Sequence, residues 1–460
     1  MRPYQLLVPS NDIALSDKDT RITYTELITK IREINTWYKS LGYGPGHRIS
    51  VVGNNNVETY LYPFAAAWDM CATTLSHDGT REEWEFRLNT NNSNVIIDLR
   101  SGTPVVEHRH YNKSVELEKE VMLYYTSGST GLPKCYSTTY EIDPNNWGTS
   151  QDVTHYYRDQ GNPAYRNPKT NRTINAMPPY VGWGQEVTFT TVARGGHVHL
   201  ITEPDEYAQA AAWVKPTWLA GFPLAWQRVM DIGNNGGHAI GVFEYSGAKL
   251  VDGQKERFEE FFGHRNWICG YGDAATGMTF VNYSSNFDHI GKPIQCLIDT
   301  GGEFRIGSTG TIEFRGLHTP NQDWWDTGDL VKIDADGNWQ LLGRANELII
   351  IRGGGKVYPF EVEAMISKHP LVQEVFVYPQ PDNDLHFVPA CVYYGDVDPR
   401  IYSNWVEPLM VKWKQPVRYI QLAAPTSKLQ QQANVSKISR LKLHTLVSEN
   451  KDWIKDEYIK

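Results

Sequence analysis

Short apolar runs alternate with helical stretches through the first half of this chain, and that alternation limits the fold more than any other feature of the sequence. In TYTELITKIREINTWYKSLGYGPGHRISVVGNN, apolar Leu27, Ile31, Ile34 and Trp37 recur at helical spacing, Gly42 ends the helix, and ISVV reads as a buried strand at 48–53. The unit repeats, with YLYPFAAAWDM and REEWEFRLNTNN as helices and NVIID as a strand. Segments 174–202 and 214–248 continue it, with strands in HVHLIT and HAIGVFEYSGA. Strands separated by helices pair in parallel, because the crossover returns the chain to the same end of the sheet. The expected class is α/β, with helices on the faces of largely parallel sheets. After about residue 290 the texture changes to short β pieces such as EFRIGSTGTIEFRG, which fit hairpins. Near EVEAMISKHPLVQEVFVYP a separate helix-and-strand pattern begins, the mark of a small C-terminal domain.

A chain of 460 residues exceeds one ordinary core, so two or more domains are expected. The net charge of −9, with no long basic run, argues against nucleic acid as a partner, since phosphate backbones are held by clustered Lys and Arg. Prolines and charges break MRPYQLLVPSNDIALSDKDT, and no run of about twenty apolar residues occurs, so neither a signal peptide nor a membrane span is expected. Cys71, Cys135, Cys269, Cys296 and Cys391 are odd in number and scattered, with no CxxC pair. They read as reduced thiols of a cytoplasmic protein.

Residues 124–134, YYTSGSTGLPK, carry the strongest local chemistry. Gly128 and Gly131 let the backbone turn tightly and aim several N–H groups at one point. Thr126, Ser127, Ser129 and Thr130 add compact donors and Lys134 a mobile positive charge, so a polyphosphate is the natural guest. The loop is not a Walker A motif, which has four residues between its glycines and a Ser or Thr after its lysine. Two other features are weaker. His108 with His110, and His197 with His199, would each share one face of a strand, as a metal site requires, but neither pair has a Cys or carboxylate in ligand spacing. Imidazoles satisfied at a sheet edge or surface are the simpler reading. The run GGG at 353–355 is either a flexible loop or a place of close approach.

Three further strings follow in order: YGDAATG at 271–277, WWDTGDLVKID at 324–334 and GRANELIIIRGGGKVYPFEVE at 343–363. Together with YYTSGSTGLPK, SLGYGPGHRISVVGNNN, KPTWLAGFPLAWQRV, EYSGAKL and NVSKISRLKL, they resemble the core motifs of the adenylate-forming superfamily, which includes acyl- and aryl-CoA synthetases, amino-acid adenylation domains and firefly luciferase. Any one string is weak; the ordered set spans nearly the whole chain. The resemblance implies a large multi-subdomain N-terminal domain over 1–345, with mixed β-sheets flanked by helices and a small β-rich portion. A small mobile α+β domain over 346–460 would follow, hinged at Asn346. It also implies a reaction: a small carboxylic acid and ATP give an acyl-adenylate and pyrophosphate, and a thiol, most often that of CoA, then takes the acyl group.

Carried onto this sequence, the resemblance makes Thr126, Ser127, Gly128, Ser129, Thr130, Gly131 and Lys134 the cradle of the β- and γ-phosphates. It lays Gly247 and Ala248 against the adenine, with Tyr271 stacked on the ring and Gly272 beside it. Asp329 would accept from the ribose hydroxyls, Arg344 would support the same sugar, and Lys437 would bridge the acyl carboxylate and the α-phosphate. Gly354 and Gly355 would let the pantetheine arm slide past. Tyr180, Val181 and Trp183 would wall the acid pocket, with Val181 where acyl-CoA synthetases commonly carry His, which argues for an apolar or flat acid. The family's magnesium-binding Glu falls on Ala275, next to Ala274, and alanine cannot ligate a hard cation. Mg2+ is expected with ATP, yet its protein ligand stays unassigned, with Asp273 and Thr276 flanking the gap. Asn346 stands where Asp or Lys is usual, and the stretch between NVIID and YYTSGSTG is shorter than in many relatives. Two alternatives remain: an enzyme that loads a carrier protein in trans, and a nucleotide-binding protein without turnover, for which Ala275 speaks.

Overall fold

The protein is described by a computed structural model covering residues 7–75, 81–112, 120–125, 135–139, 171–193, 195–237, 239–246, 252–263, 266–273, 277–282, 289–299, 301–316, 319, 323–351, 355–382, 386–426, 428, 445 and 447–460. The chain divides into two units. One comprises Met1–Ala248, Glu259–Ser285 and Ile294–Thr300, and the other Lys249–Phe258, Asn286–Pro293 and Gly301–Lys460.

The first unit is built on two mixed sheets. In one, the strands run in the order Gly277–Asn282, Asn266–Asp273, Val242–Tyr245, Trp218–Gly221, Arg172–Asn175, His197–Leu200, Ile13–Ser16 and Arg21–Thr23. In the other the order is Val105–His108, Val95–Asp98, Arg48–Val52, Cys71–Leu75, Glu120–Tyr125 and Cys135–Thr139. The central pairs of both are parallel, as helix-linked strands require, and the hairpin partners are antiparallel. The helix Tyr24–Ser40 opens with a capping box between Thr23 and Glu26, buries Leu27 and Ile31, and stops before Gly42, whose φ of +90° few other residues adopt. It packs with the helix Val57–Ala67 in a core that includes Tyr38, Phe64 and Val198, where the Phe64 and Phe189 rings lie 4.3 Å apart. Burying each such side chain contributes roughly 1.5–3 kcal/mol, which is what holds helices to the sheets.

The second unit contains the four-stranded antiparallel sheet Glu303–Ile306, Thr311–Arg315, Trp325–Ile333 and Trp339–Arg344. A short hairpin, Ile349–Ile351 with Gly355–Val357, follows. The last sheet runs Val372–Asp382, His386–Gly395, Arg418–Leu422 and Ile454–Ile459, with the helices Pro359–Ile366 and Pro399–Val406 packed on a core of Val377, Tyr393, Tyr402 and Tyr419. Among the described residues no helix is long and apolar enough to cross a membrane.

Candidate active site

The sheet of the second unit places Asp329 directly opposite Arg344 on the neighbouring antiparallel strand. Arg344 Nε lies 2.8 Å from Asp329 Oδ1, and Arg344 Nη1 donates to the Thr327 carbonyl at 2.9 Å. Asp329 is only 9 % exposed, and enclosing a carboxylate is costly without such partners. The DTGD sequence makes the geometry. Thr327 Oγ1 donates to the Ile312 carbonyl and accepts from the Asp329 N–H, tying the turn to the adjoining strand. Gly328 takes a φ of +72°, and Gly343 one of +136°, so both strands bend where the two charged side chains meet. Just beyond, Asn346 sits exposed in the 3-10 turn Ala345–Glu347, and Gly355 starts the second strand of the short hairpin.

In the first unit, Tyr271 and Gly272 lie on Asn266–Asp273 at a β-bulge, with Tyr271 edge-on to Phe280 at 5.7 Å. Trp218 and Glu244, on paired strands of the same sheet, share a buried hydrogen bond of 3.1 Å from indole Nε1 to carboxylate Oε2. The strands flanking the glycine-rich loop are neighbours, with Tyr125 paired to Cys135.

The PPYVGWG segment turns into the helix Gly182–Ala193: the Val181 N–H donates to the Pro178 carbonyl, and the Gln185 N–H to that of Val181. Gln185, fully enclosed, donates from Nε2 to both the Pro179 carbonyl and Thr74 Oγ1, which fixes this turn to the other sheet. Trp183 meets Phe222 ring to ring at 5.6 Å, just before the helix Pro223–Ile232. Gln185, Thr74, Phe222 and Thr327 were not singled out in the sequence. Thr327 alone carries a local signal, standing two residues before Asp329 in DTGD.

Thr126, Ser127, Gly128, Ser129, Thr130, Gly131, Lys134, Gly247, Ala248, Gly354 and Lys437 lie outside the described residues, as do Ala274, Ala275 and Thr276. The structure therefore brings together Asp329 and Arg344, and the turn that carries Tyr180, Val181 and Trp183.

His197 and His199 are tied into the sheet. Ser16 Oγ lies 2.6 Å from His197 Nε2 and 2.8 Å from His199 Nδ1, on adjoining parallel strands. Both rings are edge-on to Trp213, over which Arg21 stacks at 3.9 Å. Burial, then the neighbouring His199 and the guanidinium groups of Arg172 and Arg21, pushes His197 down to about 3. Burial also takes His199 down to about 4, against an opposing pull from Asp17. The pair sits on an interior strand rather than at a sheet edge, while exposed His108, hydrogen-bonded to Tyr43, does lie on an edge strand. Among the described residues no group of three or more His, Cys, Asp and Glu side chains could hold a metal ion.

Residues 5–319 match the family described as AMP-binding enzyme. The 2-succinylbenzoate–CoA ligase of Haemophilus influenzae is 23 % identical over 436 residues, covering 90 % of this chain and 91 % of that protein. Among solved structures, ATP-bound MatB from Rhodopseudomonas palustris superposes with a TM-score of 0.75 at 19 % identity, covering 95 % of this chain and 99 % of that one. MenE of E. coli, solved as a single-residue variant with bound OSB-AMS, gives a TM-score of 0.74 at 20 % identity, covering 97 % and 98 %. These likenesses agree with the mixed-sheet architecture expected from the ordered motifs. The chain belongs to the AMP-binding enzyme family.

Proposed function

We propose that this protein is an AMP-forming acid–thiol ligase. A carboxylate oxygen of the acid attacks the α-phosphorus of ATP and pyrophosphate leaves. A thiol sulfur, that of CoA, then attacks the carbonyl carbon of the mixed anhydride and AMP leaves with the electron pair, the thiol proton passing to solvent. The first step makes a leaving group from a carboxylate that has none, so catalysis is mostly positioning and charge stabilisation at phosphorus. The observation that carries this reading is the Asp329–Arg344 pair, a nearly buried carboxylate held in a fixed orientation on the motif that the family uses for the ribose. Names of relatives as CoA ligases support CoA over a carrier protein as acceptor.

In this reading the loop 126–134 holds the phosphates, Tyr271 stacks on adenine, Asp329 and Arg344 hold the ribose, and Lys437 offsets charge at the α-phosphate. The segment 346–460 turns about Asn346 between the two half-reactions, bringing Gly354 and Gly355 to the thiol. The buried thiols of Cys71, Cys269 and Cys391, none of them in a disulfide, suit the reducing cytoplasm in which such a ligase would work.

The test is acid-dependent exchange of labelled pyrophosphate into ATP over fatty, aryl, small aliphatic and amino acids, with Lys437→Ala as control and magnesium titrated. Exchange with one class, lost in the variant, supports adenylation, and adding CoA then reads the acceptor. ATP binding without exchange for any acid would favour a nucleotide-binding protein without turnover, and Ala275→Glu would test that cause.

A further inference from the structure

Of the arginines on the first unit, Arg228 stands out by what it lacks. It lies on the helix Pro223–Ile232, in the string PLAWQRV, six residues and more than one and a half turns beyond the Phe222 that packs on Trp183. Its Nε is enclosed without a hydrogen-bond partner among the described residues, and it takes part in no ion pair among them. Burial weakens its hold on the proton, and Tyr180 and Glu203 oppose that effect through space. Several other arginines are paired with carboxylates: Arg81 and Arg109 with Glu85, Arg100 with Asp98 and Arg418 with Glu457.

A half-buried guanidinium with no anion in hydrogen-bond contact is costly, because donors leave water and the distant Glu203 carboxylate gives little in return. Such a group is stabilised by a ligand that brings a planar anion, and a carboxylate matches its fork with two parallel hydrogen bonds. Residues assigned above to the acid pocket bear on Arg228: Tyr180 acts on it through space, and its helix opens at the Phe222 that packs on Trp183. The reacting carboxyl needs no arginine here, since that end is turned to ATP and Lys437. On the ligase reading, we propose that Arg228 binds a second anionic group on the acid, so that the preferred substrates are dicarboxylic acids. The apolar or flat acid suggested by PPYVGWG then describes the middle of the substrate, lying against Trp183, and not its far end.

Pyrophosphate exchange with matched pairs, butanoate against succinate, pentanoate against glutarate, and benzoate against phthalate, tests this in wild type, Arg228→Met and Arg228→Lys. The wild type is expected to favour the diacid of at least one pair in kcat/KM on the order of 100-fold, the size of a charge pair made in an enclosed site. Arg228→Met should erase that ratio, chiefly through the KM of the diacid, and Arg228→Lys should keep part of it. Thermal melting of both variants separates a lost contact from a lost fold, and if Arg228→Met does not fold the Lys variant carries the comparison. Exchange with monocarboxylic acids as good as with diacids, or a diacid preference that survives in the folded variants, overturns the role of Arg228 and leaves the ligase reading standing. Absence of exchange with every acid, with ATP still bound, overturns both.

Discussion

Arg344 Nε lies 2.8 Å from Asp329 Oδ1, across the paired rung that joins two antiparallel strands. The contact fixes the orientation of the carboxylate before any nucleotide arrives. Pre-set orientation of this kind lowers the entropy lost on binding.

Asp329→Asn keeps the shape and removes the charge. The kcat/KM for ATP in pyrophosphate exchange should fall roughly 10- to 100-fold, the loss of a charge-assisted hydrogen bond, with most of it in KM. A KM for ATP equal to that of the wild type would show that Asp329 does not touch the nucleotide.

Gly343 holds a φ of +136° next to Arg344, and a Cβ there would meet Phe360 at 3.6 Å, an ordinary contact distance. Space is available, so the effect of Gly343→Ala is backbone strain alone, about 1–3 kcal/mol. Urea denaturation reads it. A midpoint unchanged from the wild type would mean that the bend is not fixed at this residue.

Gln185 anchors the Pro179 carbonyl and Thr74 from an enclosed position. Gln185→Ala loosens the turn bearing Tyr180 and Val181, so the KM for the acid should rise about tenfold, a cost near ~1.4 kcal/mol, while the KM for ATP moves little. Equal rises in both constants would instead point to a general loss of structure.

His197 and His199 are held down to about 3 and about 4, against 6.5 when free. As pH falls below about 6.5 the unfolded chain takes up these protons and the folded chain does not, so stability drops until the folded values are reached. Between about pH 7 and pH 5 the two rings together should cost about 2–4 kcal/mol, with the enzyme fully stabilised above the unfolded value. Denaturation midpoints that stay level over that range would contradict the burial of these rings.

The sequence made most elements legible where one face is apolar and the other is not. Leu27 and Ile31 mark the helix Tyr24–Ser40, and EFRIGSTGTIEFRG gives the hairpin Glu303–Ile306 with Thr311–Arg315. HAIGVFEYSGA condenses to the strand Val242–Tyr245, because an apolar run does not state where pairing stops. Asp329 and Arg344 were readable as separate motif residues, but their contact comes from strand register, which spacing along the chain does not encode. Arg228 and Gln185 escaped notice for a related reason. An arginine or glutamine on a helix is ordinary until its neighbours are known, and burial without a partner is a property of packing.

The division of the chain has a practical outcome for anyone cutting it. The second unit takes Lys249–Phe258 and Asn286–Pro293 from the middle of the sequence, so the polypeptide passes between the units several times. A single protease nick, or one stop codon, cannot release the second unit whole, and a cut after Thr300 leaves the first unit carrying two segments of the second. A fragment beginning at Gly301 would lack Lys249–Phe258 and Asn286–Pro293, and co-expression with the piece that retains them is the arrangement in which it should survive.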